Sequence, residues 1–288
     1  MKKCSICASN ITEIALSIYE PDRFEKHLGV SPLDYRRDWM RCHSCGVLQN
    51  FPPQDSIEKL SSLASAYYEV DFQGSSLTKK FELVMDLPKH KSDNALRVDR
   101  VLTFLESLPT YQANSPIKVL DIGAGTGVFL ARMLRDARAS KFEMLAVEPD
   151  PIAAEHLRSL NLFSVRNELF TGQADLKNFD LCTANKIVEH VSDPLPLVRQ
   201  VANALTETGL FYIELPDELT ITYRPPNDNI LGPLHHHLYN RKSLDYLLTA
   251  AGMTPLTISR FFEPSGKISI AAFAVKISAL KILAARES

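Results

Sequence analysis

The chain has 288 residues, 45% hydrophobic and 23% charged, which supplies enough apolar material for one large α/β domain and a small accessory module. Its formal charge of −2 argues against a broadly basic surface built to coat nucleic acid. No apolar run reaches the roughly 18 residues of a membrane span, and Cys4, Ser5, Asn10, Thr12 and Glu13 interrupt any leader-like segment, so the expected location is the cytoplasm.

Residues 1–52 hold short apolar runs, turn residues and two Cys-x-x-Cys pairs, Cys4/Cys7 and Cys42/Cys45, with 34 residues between the pairs. In a reducing compartment that pattern points to a metal more than to disulfides. Four thiolates can surround Zn²⁺ tetrahedrally at about 2.3 Å, and Gly46 permits the tight turn of such a knuckle. A closed four-thiolate site stabilises and does not catalyse. The competing reading, a redox dithiol, needs only one pair. His27 and His43 are read as surface residues, and Cys182 as a filler in a buried strand.

Residues 53–112 read as a helical linker or lid, entered through Pro52, Pro53 and the serines around 61–65. Within it, Leu96, Val98, Val101, Leu102 and Leu105 share one face of a helix over Asn94–Leu108, capped by Asp93 or Asn94 and stopped by Pro109. Residues 113–288 alternate strand and helix. Strands are expected at Ile117–Asp121, Phe142–Glu148, Asp180–Ala184 and Gly209–Leu215. Helices are expected at Gly127–Asp136, Ile152–Leu160, Pro194–Leu205 and Arg241–Ala251, the last ended by Gly252. Pro255–Phe262 and Ile268–Ile277 close the chain as an antiparallel hairpin on a mostly parallel sheet.

The densest motif runs Val119-Leu120-Asp121-Ile122-Gly123-Ala124-Gly125-Thr126-Gly127, from strand end to helix start. Glycines allow positive φ and close approach of a ligand to the main chain, and the helix start adds a positive dipole end. Glu148 lies 21 residues beyond Gly127, at the end of the next strand, where a carboxylate can accept from both hydroxyls of a ribose. A dinucleotide would prefer Gly-x-Gly-x-x-Gly, and Asp121 would repel its pyrophosphate. That aspartate suits a ligand with a cationic group, such as the methionine part of S-adenosylmethionine (SAM).

Asp-x-Gly-x-Gly-x-Gly followed by Glu148-Pro149 resembles the class I SAM-dependent methyltransferases. Further segments follow in order: Asn167-Glu168-Leu169-Phe170, Phe179-Asp180-Leu181, Ala184 to Val191, Ile213-Glu214-Leu215-Pro216-Asp217 and His235-His236-His237-Leu238. With the cysteine pairs, they resemble the zinc-containing sugar C-methyltransferases of deoxysugar biosynthesis over roughly residues 4–277. The resemblance implies a Rossmann-like sheet of seven strands and a small N-terminal zinc-binding module. It further implies SAM as cofactor, structural Zn²⁺, and a small-molecule acceptor such as a sugar nucleotide. Those enzymes carry a further C-terminal domain, whereas this sequence ends soon after its last expected strand. Leu234-His235-His236-His237 also stands where the family has Tyr-His-Glu-His, which leaves O- and C-methylation both open.

The resemblance places Asp121, Gly123, Ala124, Gly125, Gly127, Glu148, Pro149, Asn185, Tyr67 and Tyr68 around the cofactor. It makes His237 the base, oriented by His236. Glu189-His190 lies at the carboxyl edge of the sheet, either lining the pocket or merely capping a turn. Asp217 and Glu218 are candidates for the acceptor pocket. The alternative function is an RNA methyltransferase with a zinc module, which would need a basic approach surface and a base-flipping pocket. A scaffold that has lost catalysis is a third reading, disfavoured by the intact glycine loop.

Overall fold

The computed structural model describes residues 2–60, 76–108, 111 and 116–279. Tyr67 and Tyr68 lie outside the described residues, as does Pro109. Twelve strands among the described residues form two sheets.

The larger sheet has the order β11-β12-β9-β8-β5-β6-β7, with β5 Ile117–Ile122, β6 Phe142–Val147, β7 Ser164–Arg166, β8 Phe179–Asn185, β9 Leu205–Pro216, β11 Met253–Phe262 and β12 Ile268–Lys276. The strands from β7 through β9 run parallel, and the β11–β12 hairpin joins β9 antiparallel. Seven strands with a closing hairpin match the expectation. Sequence reading had missed β7, a three-residue edge strand.

Helices cover both faces. Packed on one are α4 (Asp93–Glu106), α5 (Val128–Leu134) and α6 (Pro151–Ser159). The other carries α7 (Pro194–Ala204) and α9 (Arg241–Ala250). Strand β9 shows why its sequence is apolar throughout. Leu210 and Tyr212 pack under α4 and α5, while Phe211, Ile213 and Leu215 pack under α7 and α9. The cap of α4 is Ser92, whose hydroxyl accepts from Ala95 N at 3.1 Å, so the helix starts one residue before the expected Asp93 or Asn94 cap allows. Gly252, at φ 82°, ends α9 as expected.

The smaller sheet is antiparallel throughout, in the order β1-β2-β3-β4-β10, from β1 Lys2–Lys3, β2 Asn10–Ile18, β3 Arg37–Cys42, β4 Leu48–Phe51 and β10 His237–Leu238. Its core joins Ile18, Trp39 and Leu48 to Ile230, Leu231 and Leu238. Helix α1 (Arg23–His27) packs beside it, and buried Glu25 there receives Arg37 at 2.7 Å and the Tyr35 hydroxyl. Helices α2 (Gln54–Leu60), α3 (Leu77–Asp86) and α8 (Thr220–Tyr223) complete the regular elements. No helix among the described residues is long and apolar enough to cross a membrane.

A buried ion cluster ties α4 to the sheet. Glu214 on β9 is fully buried and accepts from Arg97 at 2.5 and 2.9 Å, from Arg100 at 3.0 Å and from the Tyr212 hydroxyl at 2.7 Å. The surrounding guanidiniums hold its carboxyl well below the usual range despite burial. Removing one partner of such a pair leaves a charge uncompensated. Glu214→Ala should therefore lower the unfolding free energy by about 3 kcal/mol or more, read from denaturant midpoints.

Candidate active site

Strand order reverses between β5 and β8, and the carboxyl ends of the parallel strands at such a switch point are where ligands bind in open α/β sheets. The glycine loop leaves β5 at this point. Its turn demands glycine at two positions. Gly123 has φ 68°, and a Cβ there would come within 2.3 Å of Ile187 Cδ1. Gly127 has φ 76° and caps α5, and a Cβ there would meet Leu157 Cδ2 at 2.6 Å.

The loop's shape is locked from the neighbouring strand. Gly123 N donates to Val147 O at 2.8 Å. Glu148, just past β6, accepts from Gly125 N at 2.8 Å with one carboxylate oxygen and from Asp150 N at 3.0 Å with the other. Asp150 in turn caps α6 through Ala153 N at 2.8 Å. Ala124 N also approaches Val147 O, at 3.4 Å, and Pro149 O accepts from Asn167 Nδ2 at 3.0 Å. The structure thus gathers Gly123, Ala124, Gly125, Gly127, Glu148 and Pro149 around one loop.

Asp121 joins them from β5. Its Oδ1 accepts from the Thr183 hydroxyl at 2.5 Å and from Asn185 Nδ2 at 3.3 Å, both on β8. Burial pushes its carboxyl up to about 7. Thr183 was not among the expected site residues. It stands two positions before Asn185 on the same face of the strand, and that spacing is the signal that would have found it.

The histidine run His235–His237 lies against the turn that follows β8. His236 N donates to Glu189 O at 2.7 Å, which fastens the run to the 3-10 turn Val188–His190 after β8. His237 belongs to β10 and is fully buried. Its Nε2 meets the Ser5 hydroxyl at 2.7 Å and Gln49 Nε2 at 3.2 Å, and burial pushes its imidazole down to about 3. The structure does not bring His236 and His237 together as the expectation had it: the two rings lie 6.2 Å apart by centroid, with His236 in the loop before β10 and His237 within it. Ser5 and Gln49 hold His237 instead, and His236 is the half-buried member of the pair.

Asp217 and Glu218 are also committed elsewhere. Asp217 is fully buried on Arg260 at 2.6 Å, and Glu218 accepts from Arg41 at 2.5 Å and from Asn240 at 3.2 Å. Asn240 donates to Gly46 O at 3.0 Å as well, linking the second cysteine knuckle to the end of β9.

The four N-terminal cysteines converge. Cys4 Sγ lies 3.6 Å from Cys45 Sγ, and Cys7 Sγ 3.4 Å from Cys42 Sγ. Thiolates bound at 2.3 Å to a tetrahedral ion sit about 3.8 Å apart, so the sulfurs need move only slightly to hold one. The hydrogen bond between Cys4 and Cys45 pulls the Cys4 thiol down and pushes the Cys45 thiol up, so the pair holds one proton that a metal would displace. Cys182 is fully buried on β8 and separate from this cluster.

A family model described as a methyltransferase domain matches residues 91–258. A probable S-adenosylmethionine-dependent methyltransferase of Mycobacterium tuberculosis is 29% identical over 152 residues, covering 50% of this chain and 52% of that protein. A ubiquinone biosynthesis O-methyltransferase of Vibrio vulnificus is 26% identical over 164 residues, covering 56% of this chain and 61% of that protein. The chain thus matches between about half and three fifths of the length of these curated relatives. Among solved structures, the magnesium protoporphyrin IX methyltransferase of Synechocystis with bound S-adenosylhomocysteine superposes with a TM-score of 0.56 at 11% identity, over 75% of this chain and 99% of that one. The 1,6-didemethyltoxoflavin-N1-methyltransferase of Burkholderia thailandensis gives 0.55 at 17% identity, over 82% and 96%. These likenesses establish the fold.

Two outcomes follow from the site's electrostatics. Asp121 keeps a proton in the folded state up to about pH 7, whereas an unfolded aspartate loses it near pH 4. Ligand-free stability therefore falls as pH rises between those values, by on the order of 4 kcal/mol. Asp121→Asn should raise the ligand-free melting temperature at pH 8, and the gain should shrink at pH 5, as differential scanning fluorimetry can record. At the cysteine cluster, Cys42→Ser should remove one equivalent of zinc by elemental analysis and lower the melting temperature by several degrees.

Proposed function

The chain belongs to the methyltransferase-domain family, and from that membership we propose that it transfers the methyl group of S-adenosylmethionine to a small hydroxylated acceptor, a nucleotide-linked or other sugar. The observation that carries the cofactor part is the locked pair of Gly125 N and Glu148 at the switch point, with buried Asp121 alongside. Glu148 stands where a ribose can share its carboxylate, and the Asp121 carboxylate faces the place of a cationic methionine end. A ligand ammonium would draw the proton off Asp121 and pair with the carboxylate, offsetting the cost of ionising it in a buried place.

Sulfonium methyl transfer asks little covalent chemistry of the protein. The acceptor must be held in line with the methyl group, and its proton must leave. His236 is the histidine whose half-buried position supports the role of base, with His237 a brace that fixes the strand. Tyr67 and Tyr68 are proposed to close over the cofactor. Structural zinc at Cys4, Cys7, Cys42 and Cys45 would hold the small sheet against β9 through Gly46 and Asn240.

The test is turnover. The protein is incubated with SAM and a panel of nucleotide-activated sugars, 4-keto forms included, and S-adenosylhomocysteine release is followed with mass detection of product. A methylated sugar is the expected result, with His236→Ala losing about 10²-fold or more in kcat while retaining SAM affinity. His237→Ala should act mainly on the melting temperature. SAM binding with no sugar turned over, together with methylation of RNA, would replace the sugar reading by the RNA one.

A further inference from the structure

Beyond the glycine-loop site and the cysteines, one further cluster of donors comes together among the described residues. We propose that Glu189, His190 and His235 form a second metal site, one that takes a divalent first-row transition ion. One donor atom from each of the three lies within 4.8 Å of the others. The two imidazole rings sit 4.5 Å apart by centroid and are tilted by 57°, an arrangement that lets two ring nitrogens share one ion without stacking.

The hydrogen bonds behind the rings set their tautomers. His190 Nδ1 lies 3.0 Å from Leu234 O and His235 Nδ1 lies 2.6 Å from Ile230 O. A carbonyl can only accept, so each Nδ1 carries the proton and the ring lone pair lies on Nε2. That is the second-layer support typical of metal-ligating histidines.

Glu189 supplies the charge. It is 1% exposed, and its Oε2 has no hydrogen-bond partner among the described residues. A buried carboxylate oxygen left unpaired is costly, and a cation resolves that cost. The nearest competing cation, Lys186, is engaged with the Ser269 hydroxyl at 2.6 Å and lies 3.6 Å from Glu214. A cavity of about 50 Å³ opens against both imidazoles, lined also by Asp22, Arg23, Phe24 and Asn229, with room for one or two waters beside the rings.

Two imidazoles and one carboxylate suit Zn²⁺, Mn²⁺, Fe²⁺ or Co²⁺, and three protein donors leave a position open to water or a hydroxyl. The cysteine cluster, by contrast, is closed and all sulfur. This difference makes the two sites separable by spectroscopy, and the inference is independent of which acceptor is methylated.

The experiment strips the full chain with chelator and titrates it with Co²⁺ alone, counting metal by elemental analysis. Two equivalents are expected, one showing intense thiolate-to-cobalt charge transfer and one showing only weak d–d bands. Glu189→Gln and His235→Ala should each weaken the second by at least tenfold and leave the charge-transfer band intact. That band also reports that each variant is folded, and the isosteric Glu189→Gln carries the test if His235→Ala does not fold. A single equivalent without thiolate bands, lost in the variants, would uphold this site and overturn the cysteine one. A wild-type chain that takes only the thiolate-bound equivalent, or a second equivalent unchanged in both variants, overturns the proposal.

Discussion

The pairing of β5 with β8, with their connections leaving in opposite directions, governs the ligand end of the molecule. From it follow the switch point itself, the exit of the glycine loop from β5 and the 3-10 turn from β8. It also sets Asp121 between Thr183 and Asn185, where water cannot reach the carboxylate. A parallel sheet covered on both faces provides the dry surroundings, and the loop supplies backbone N–H groups instead of side chains. The site is thus paid for in folding stability at Asp121 and made rigid at Glu148.

A second constraint acts through charge. Glu214 sits in the middle of an apolar strand and is tolerated only because Arg97 and Arg100 arrive from α4. This cluster fixes the angle of α4 against β9. Lys186, at φ 60° just beyond β8, joins its edge and donates its backbone N–H to Glu214 O. The end of β8, which bears Asn185 and leads into Glu189 and His190, is therefore held from both the helix side and the strand side.

Local signals made much of the large sheet legible. Apolar runs bounded by Gly, Pro and Asp located β5, β6, β8, β9, β11 and β12 to within a few residues, and the cap and stop residues located the helices between them. Three kinds of element escaped. Strand β7 is only Ser164-Val165-Arg166, too short and polar to show a pattern. Strand β2 has breaks in register between Ile11 and Glu13 and between Ile14 and Leu16, which scramble its two-residue alternation. Strand β10 has two residues and exists only because β4 is beside it. At the site, the glycine loop, Glu148 and the cysteine pairs were visible because their spacing along the chain is their chemistry. The Arg97–Glu214 pair and the Ser5–His237 contact were not, since their partners are 117 and 232 residues apart.

The attachment of β10 to β4 reaches past the finished architecture into how the chain is made. Gln49 must wait for His237, and at roughly 5–20 residues per second a ribosome needs on the order of 10 to 40 s to supply it. Through that interval the small sheet has an open edge and its Trp39 lacks the cover of Ile230 and Leu231. A metal taken up by Cys4, Cys7, Cys42 and Cys45 would close a local loop early, whereas the last strand brings long-range contacts that form late. Metal bound at the four cysteines would then act as a timing device, keeping the first part of the nascent chain compact until the sheet's final strand is synthesised.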